Sequence, residues 1–507
     1  MNPLYDRFFA PHRDNKSVFL KLADGTALTY AEFRDRVGQI ANTLLAWGLH
    51  PGDRVAVQIE KSPDALALYG ACAQTGTVFL PLNTGYTADE LSYFVKDSGA
   101  KLFICDPANA EALDPVARRH RAKLETLGVD GAGSLSRAAN SQSPIAPTAE
   151  VQGNDLAALL YTSGTTGRSK GAMLTHDNLV SNAETLAEYW RFTSDDVLLH
   201  ALPIFHTHGL FVAINVTLAA GSSMIFMPKF DIDVLLAEMP GASVLMGVPT
   251  FYTRLLDDVR LNKDVSAEMR LFISGSAPLL AETHIAFQQR TGHRILERYG
   301  MTETNMNASN PYDGDRRAGT VGRPLPGIAI KIMDTDTDTE LPQGEIGQIV
   351  VRGPNVFCGY WNMPEKTAEE LWPDGFFITG DLGQFDEDGY LQIVGRQKDL
   401  IISGGYNIYP KEIELLLDEN PNVVESAVVG VPHADFGEAV VAYVVPTADS
   451  PPDPALLQEL CRRKLARFKH PQDILLITDL PRNTMGKVQK NVLRDRYIHA
   501  KQSSVEA

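Results

Sequence analysis

The chain is poor in cysteine: Cys72, Cys105, Cys358 and Cys461 are the only four in 507 residues, widely separated and without a C-x-x-C pair. That excludes a disulfide framework and the usual zinc-binding spacings. His206 and His208 form an H-x-H pair, but the sequence offers no third ligand near them. Isolated thiols suit a reducing compartment, so the chain is expected in the cytoplasm. Long apolar runs are also missing. None approaches the roughly 18 residues of a membrane-spanning helix. The N-terminal stretch lacks the apolar segment of a secretory signal, and KQSSVEA at the C-terminus matches no lipidation or receptor-read address. No membrane partner is expected. Cations are in deficit as well: 46 Lys and Arg stand against 63 Asp and Glu, a net charge of −17. Such a balance excludes general nucleic-acid binding, which needs clustered positive charge. An anionic ligand must then be held by local features.

What is present is an ordinary globular composition, 44% hydrophobic and 21% charged, long enough for roughly three domains or subdomains. Strand-like runs and helical patterns alternate. Residues 53–59, 77–81 and 101–105 read as strands, with helices over 63–75 and 88–98 between them. The rhythm recurs at 197–203, 222–228, 243–249 and 271–276, in runs rich in Val, Ile, Leu and Phe, as strands covered on both faces should be. Near residue 320 the pattern shifts to short alternating strands separated by Gly, Asp and Pro, which predicts a small antiparallel region. The last hundred residues read as a compact α+β unit. Segment 129–153 is small, polar and Pro-containing, and reads as a surface linker or a long loop.

The densest local signal is YTSGTTGRSKG at 161–171, after the apolar run LAALL and before a capped helix candidate beginning THDNL. Glycines let backbone N–H groups converge, hydroxyls add donors and Lys170 adds charge, so strand, loop and helix together read as a phosphate cradle. The spacing is not G-x-x-x-x-G-K-[ST], which excludes a P-loop NTPase.

YTSGTTGRSKG resembles the phosphate-loop signature of the acyl-adenylate-forming superfamily, which comprises acyl-CoA synthetases, peptide-synthetase adenylation domains and luciferases. Six further motifs stand in that family's order: LPIFHTHG (202–209), SGSAP (274–278), ERYGMTET (297–304), TGD (379–381), GRQKDLIISGGYNIYP (395–410) and PRNTMGKVQK (481–490). The resemblance implies an α/β fold, with a large N-terminal domain of stacked βαβ-type sheets and a small β subdomain over residues 1–396. A small, mobile α+β domain is implied over 397–507. It implies ATP, Mg²⁺ and CoA as cofactor and co-substrates. Thr162, Ser163, Gly164, Thr165, Thr166, Gly167 and Lys170 would cradle the phosphates. Glu303, with Thr162, would hold Mg²⁺, a cation that takes hard oxygen ligands. Gly275, Ser276, Ala277, Pro278, Tyr299, Gly300, Met301 and Thr302 would surround the base. Asp381 would meet the ribose, and Arg396 would make a second ribose contact or a phosphate contact. Lys398 would mark the hinge, and Ser403, Gly404 and Gly405 would admit the pantetheine arm. Lys487 would be the adenylation lysine, with Lys490 on the surface. The cluster RRKLARFKH at 462–470 is a solvated helix face or a site for CoA phosphates.

Within the superfamily, HALPIFHTHGLF and ERYGMTETNMN most resemble malonyl-CoA synthetases. A dicarboxylate needs a fixed cation, because an unpaired buried carboxylate is costly. Arg298 or Arg254 would supply it, with His206, Ser274 and Met306 in the same acyl pocket and His206 counted with Lys487 and Glu303 in the chemistry. If both arginines point away, a short- or medium-chain fatty-acyl or aryl-acid CoA ligase becomes the expectation, and a non-catalytic adenylate-binding protein is the remaining alternative. Lys487 is also a candidate for a lysine acetyltransferase, since losing its charge would disable adenylation.

Overall fold

In the computed structural model the described residues are 1–162, 169–403, 406–433, 436–448, 450–483 and 486–505. They fall into two compact units: residues 1–330 with 351–377, and residues 331–350 with 378–507. The expected α/β class holds, with the larger unit N-terminal.

The first unit is built on two sheets. One has six strands in the order Lys123–Thr126, Leu102–Cys105, Arg54–Gln58, Val78–Pro81, Leu156–Thr162 and Lys170–Thr175. All neighbours are parallel except the last pair. The second has nine strands. Val18–Leu22, Ser223–Phe226, Val197–His200, Val244–Gly247, Leu271–Ser274 and Leu296–Met301 run parallel in its centre, and antiparallel strands lie at both edges. The apolar runs read as strands are buried on both faces, as parallel strands between helix layers must be. Helix Pro63–Thr75 shows how local chemistry sets the elements. Ser62 caps it by accepting from the Ala65 N–H, Pro63 opens it, and Gly76 stops it in the left-handed conformation (φ 69°).

Segment 129–153 is not a free linker. It contains the helix Ser134–Ala139, with Leu135 and Ala139 buried. Asn42 donates to the carbonyls of Ser143 and Ile145 at 2.8 and 2.9 Å. A glycine on helix Tyr30–Ala46 makes room for this strap: a Cβ on Gly38 would lie 1.8 Å from the Pro144 carbonyl oxygen.

A four-stranded sheet in the order Ala329–Met333, Gly347–Arg352, Phe377–Phe385 and Leu391–Arg396 draws most of its residues from the second unit, and its last pair is antiparallel, as expected of this region. A five-stranded sheet follows, dominated by the long pair Val423–His433 and Gly437–Pro446. Helices Pro410–Asp418, Pro454–Lys464 and Lys490–Val505 flank it. One core gathers Ile401, Ile413 and Val428; another gathers Ala427, Tyr443 and Leu493.

Candidate active site

The predicted phosphate loop joins two strands, not a strand and a helix. Lys170–Thr175 returns antiparallel to Leu156–Thr162 and pairs Lys170 with Thr162. The helix His176–Tyr189, capped by Thr175, begins only after that second strand. Glycine and lysine at the start of KGAMLT hide the strand from a sequence reading. Ser163, Gly164, Thr165, Thr166 and Gly167 lie outside the described residues.

Around the loop's ends the charges are mutually satisfied. Glu303 sits in the turn of the hairpin Leu296–Met301/Asn305–Ser309 and is only 5% exposed. Its carboxylate is 3.5 Å from the Thr162 hydroxyl and 3.0 Å from the Tyr360 hydroxyl. Tyr360 also reaches Glu370 at 2.7 Å, so its one proton is shared between two carboxylates. Lys170 does not face outward. It donates to the Tyr360 oxygen at 3.0 Å and pairs with Glu370 at 3.1 Å. Burial raises the Glu303 carboxyl above its ordinary range, against the opposing pull of Lys170 and Tyr360. Two hard oxygen donors, Thr162 and Glu303, suit Mg²⁺ in chemistry. Tyr360 and Glu370 were not foreseen. Tyr360 follows an unremarked glycine, and neither residue stands in a motif.

A second cluster lies at the ends of the parallel strands in the nine-stranded sheet. Arg298 is 3% exposed, and its Nε and Nη2 have no hydrogen-bond partner. Burial pushes the guanidinium down to about 9, against the opposing influence of Tyr252 and Glu297. The space it occupies exists because residue 275 is glycine: a Cβ there would lie 2.4 Å from the Arg298 Cζ. Ser276, held at φ 71°, is 3.2 Å from His208 Nδ1. His208 Nε2 and Ser274 Oγ are buried without partners. Burial holds His208 well below its ordinary value, and the charge of Arg298 adds to the effect. The His208 N–H donates to His206 Nδ1 at 3.3 Å. Unpaired buried donors of this kind carry a desolvation cost that an anion would relieve.

The same hairpin brings Tyr299, Gly300, Met301 and Thr302 alongside Arg298 and Glu303. Tyr299 and Met306 are buried, and the Met306 methyl fronts Gly300. Ala277 and Pro278 follow strand Leu271–Ser274 in a partly exposed turn. Arg254 stands apart. It is exposed near the end of helix Pro249–Asp257, its guanidinium 5.6 Å from the Phe230 ring, where helix periodicity turns it outward.

In the second unit, strand register sets Asp381 opposite Arg396, and they form an ion pair at 3.2 Å. Lys398 is exposed in the turn Gln397–Asp399 that follows. Ser403 ends strand Ile401–Ser403; Gly404 and Gly405 lie outside the described residues. Lys487 is in a loop closed on itself: its N–H donates to Asn483 Oδ1, and its carbonyl accepts from the Asn483 N–H, both at 2.9 Å. Lys490, expected at the surface, is instead paired at 2.6 Å with the buried Glu414. That partner is remote in sequence, so no local pattern discloses it. Among the described residues, no helix is long and apolar enough to cross a membrane.

A family model described as "AMP-binding enzyme" matches residues 7–361, and one described as "AMP-binding enzyme C-terminal domain" matches residues 412–487. The chain is 36% identical to a malonate–CoA ligase of Arabidopsis thaliana, over 90% of this chain and 80% of that one. It is 38% identical to a feruloyl-CoA synthase of an Amycolatopsis species, over 93% and 94%. The crystal structure of ATP-bound MatB from Rhodopseudomonas palustris is similar with a TM-score of 0.96 and 58% identity, covering 98% of this chain and 99% of that one.

Proposed function

The chain belongs to the AMP-binding enzyme family, and from that premise we propose that it is an AMP-forming malonate–CoA ligase. A malonate carboxylate oxygen attacks the α-phosphorus of ATP, the bond to pyrophosphate breaks, and malonyl-AMP forms. The CoA sulfur then attacks the acyl carbonyl, its proton is lost to solvent, and AMP departs with the bonding electron pair. The products are malonyl-CoA, AMP and pyrophosphate. The similar malonate–CoA ligase and the ATP-bound MatB structure support this reading. The observation that carries the substrate is Arg298, a buried guanidinium with two nitrogens unpartnered. A fatty or aryl acid has only its reacting carboxylate and would leave that cation uncompensated, whereas the distal carboxylate of malonate pairs with it. His208 Nε2 and Ser274 add donors on the same side.

Both reactants in the first step are anions, so the site's task is neutralisation and alignment. Thr162 and Glu303 would hold Mg²⁺, which supplies charge neutralisation at the phosphates. Lys487 is assigned the developing charge at the α-phosphorus, and Asp381 and Arg396 the ribose. His206 is assigned the reacting acyl carboxylate. The phosphate loop, the base-lining residues 275–278 and 299–302, and Ser403, Gly404 and Gly405 keep the roles the resemblance implies. We propose a domain boundary at 396/397, within the second compact unit, where rotation of the C-terminal domain about Lys398 would exchange the two half-reactions. We assign the enzyme to the cytoplasm, in keeping with four unpaired cysteines, and Lys487 as a target for acetylation.

The feruloyl-CoA synthase relative favours an aryl-acid ligase as the second reading. Pyrophosphate release across malonate, succinate, acetate, octanoate and 4-coumarate decides between them. Malonate is expected to dominate, and Arg298→Ala to lower kcat/KM for malonate by about 10²–10³-fold while sparing the monocarboxylates. Preference for coumarate, or equal loss on every acid, overturns the substrate assignment.

A further inference from the structure

Lys61 lies between strand Arg54–Gln58 and Ser62, the cap of helix Pro63–Thr75. Its side chain is buried, yet among the described residues no carboxylate pairs with it. Its side-chain nitrogen donates to His200 Nδ1 at 2.7 Å and to the His200 carbonyl at 2.8 Å, and it lies 4.4 Å from the centre of the Phe226 ring. A donor at Nδ1 fixes the imidazole as the Nε2–H tautomer. That Nε2 is 2.8 Å from the Gly209 carbonyl, to which it donates.

His200 ends strand Val197–His200, and Gly209 stands at the start of the π-helical stretch His208–Ile214. The chain between them leaves and re-enters at nearly one point. A Cβ on Gly209 would lie 2.0 Å from the Pro203 carbonyl oxygen, so only glycine fits. His200 therefore staples the two ends of the loop that carries His206, Thr207 and His208. Thr207 in turn donates to Asn305 Oδ1 at 2.8 Å, tying the loop to the hairpin that bears Arg298. Burial without a counter-charge holds the Lys61 amine well below its ordinary value, and π-helical stretches occur frequently at functional sites. The reaction as described above uses neither Lys61 nor His200.

We propose that Lys61 and His200 are positioning residues of the acyl site, acting through the Gly209 carbonyl to hold His208 beside Arg298. The inference rests on the malonate reading. A carboxamide can imitate either ring nitrogen. Gln at 200 reproduces the Nε2 donor to Gly209, whereas Asn reproduces the Nδ1 acceptor for Lys61 and loses the donor. Steady-state kinetics of the full-length enzyme are the test. His200→Gln is expected to keep kcat/KM for malonate within about threefold of the parent. His200→Asn is expected to lose about tenfold or more, through KM for malonate, with KM for ATP unchanged. If His200→Asn fails to fold, Lys61→Met removes the donor that sets the His200 tautomer and is expected to raise KM for malonate by a smaller factor, about threefold to fivefold, with KM for ATP unchanged. The proposal is overturned if the variants behave alike, or if KM for ATP moves with KM for malonate. A parent enzyme that ignores malonate refutes the substrate reading before any variant is compared.

Discussion

Two edges of the first unit treat charge in opposite ways. At the phosphate edge Lys170, Tyr360, Glu370 and Glu303 form a closed set in which each charge has a partner within 3.1 Å. At the acyl edge Arg298, His208 and Ser274 are just as buried, but Arg298 Nε and Nη2, His208 Nε2 and Ser274 Oγ have none. A satisfied network is rigid and its members act by holding geometry. An unsatisfied one is a debt that a ligand of the right charge discharges. The difference separates residues that shape the site from residues that select the substrate.

The comparison can be broken most directly at the acyl edge. Gly275→Ala drives a methyl group into the guanidinium of Arg298, whose Cζ would be 2.4 Å away. We expect about 10²-fold loss of kcat/KM for malonate, larger than any change in KM for ATP, as measured by pyrophosphate release. A smaller effect is expected at the phosphate edge. Tyr360→Phe removes the proton shared by Glu303 and Glu370. That variant should lose about tenfold in kcat/KM for ATP, and its KM for malonate should stay put. If either variant moves the other substrate's constant equally, the two edges are not separate devices.

The smallest effect sharpens the criterion itself. His176 also has an unpartnered Nδ1, but the charges acting on it are Asp155 and Asp177, far in character from the acyl cluster. Burial lowers it from 6.5 to about 4. The folded protein thus keeps it neutral while the unfolded chain takes up a proton below 6.5, so stability is full above that value and falls as the pH drops toward 4. Urea unfolding at pH 7.5 and pH 5 should show about 2 kcal/mol of loss in the parent that His176→Gln lacks. Malonate kinetics at pH 7.5 should be unaffected by that substitution.

Parallel strands such as Leu102–Cys105 and Val244–Gly247 were readable because burial on both faces demands continuous apolar runs. Arg298 was readable as a cation in a place suited to selecting an acid, but a choice between it and Arg254 was not. That choice depends on which way a helix turns its last residues. The hairpin Leu156–Thr162/Lys170–Thr175 was obscured by glycines that serve the loop. Tyr360 and Glu370 were invisible for another reason: they meet Lys170 across 190 and 200 residues of chain, a relation no local pattern encodes. Lys490 and Glu414 repeat the lesson in the second unit.

The unpaired guanidinium of Arg298 has a consequence for the protein's life outside catalysis. An uncompensated buried cation lowers the stability of the empty chain, and a dicarboxylate at a hundredfold excess over its Kd restores about 2.7 kcal/mol. Unfolded copies are the ones removed by proteases. The acid is therefore expected to protect the folded enzyme from proteolysis, and the rate of protease cleavage with and without malonate checks it.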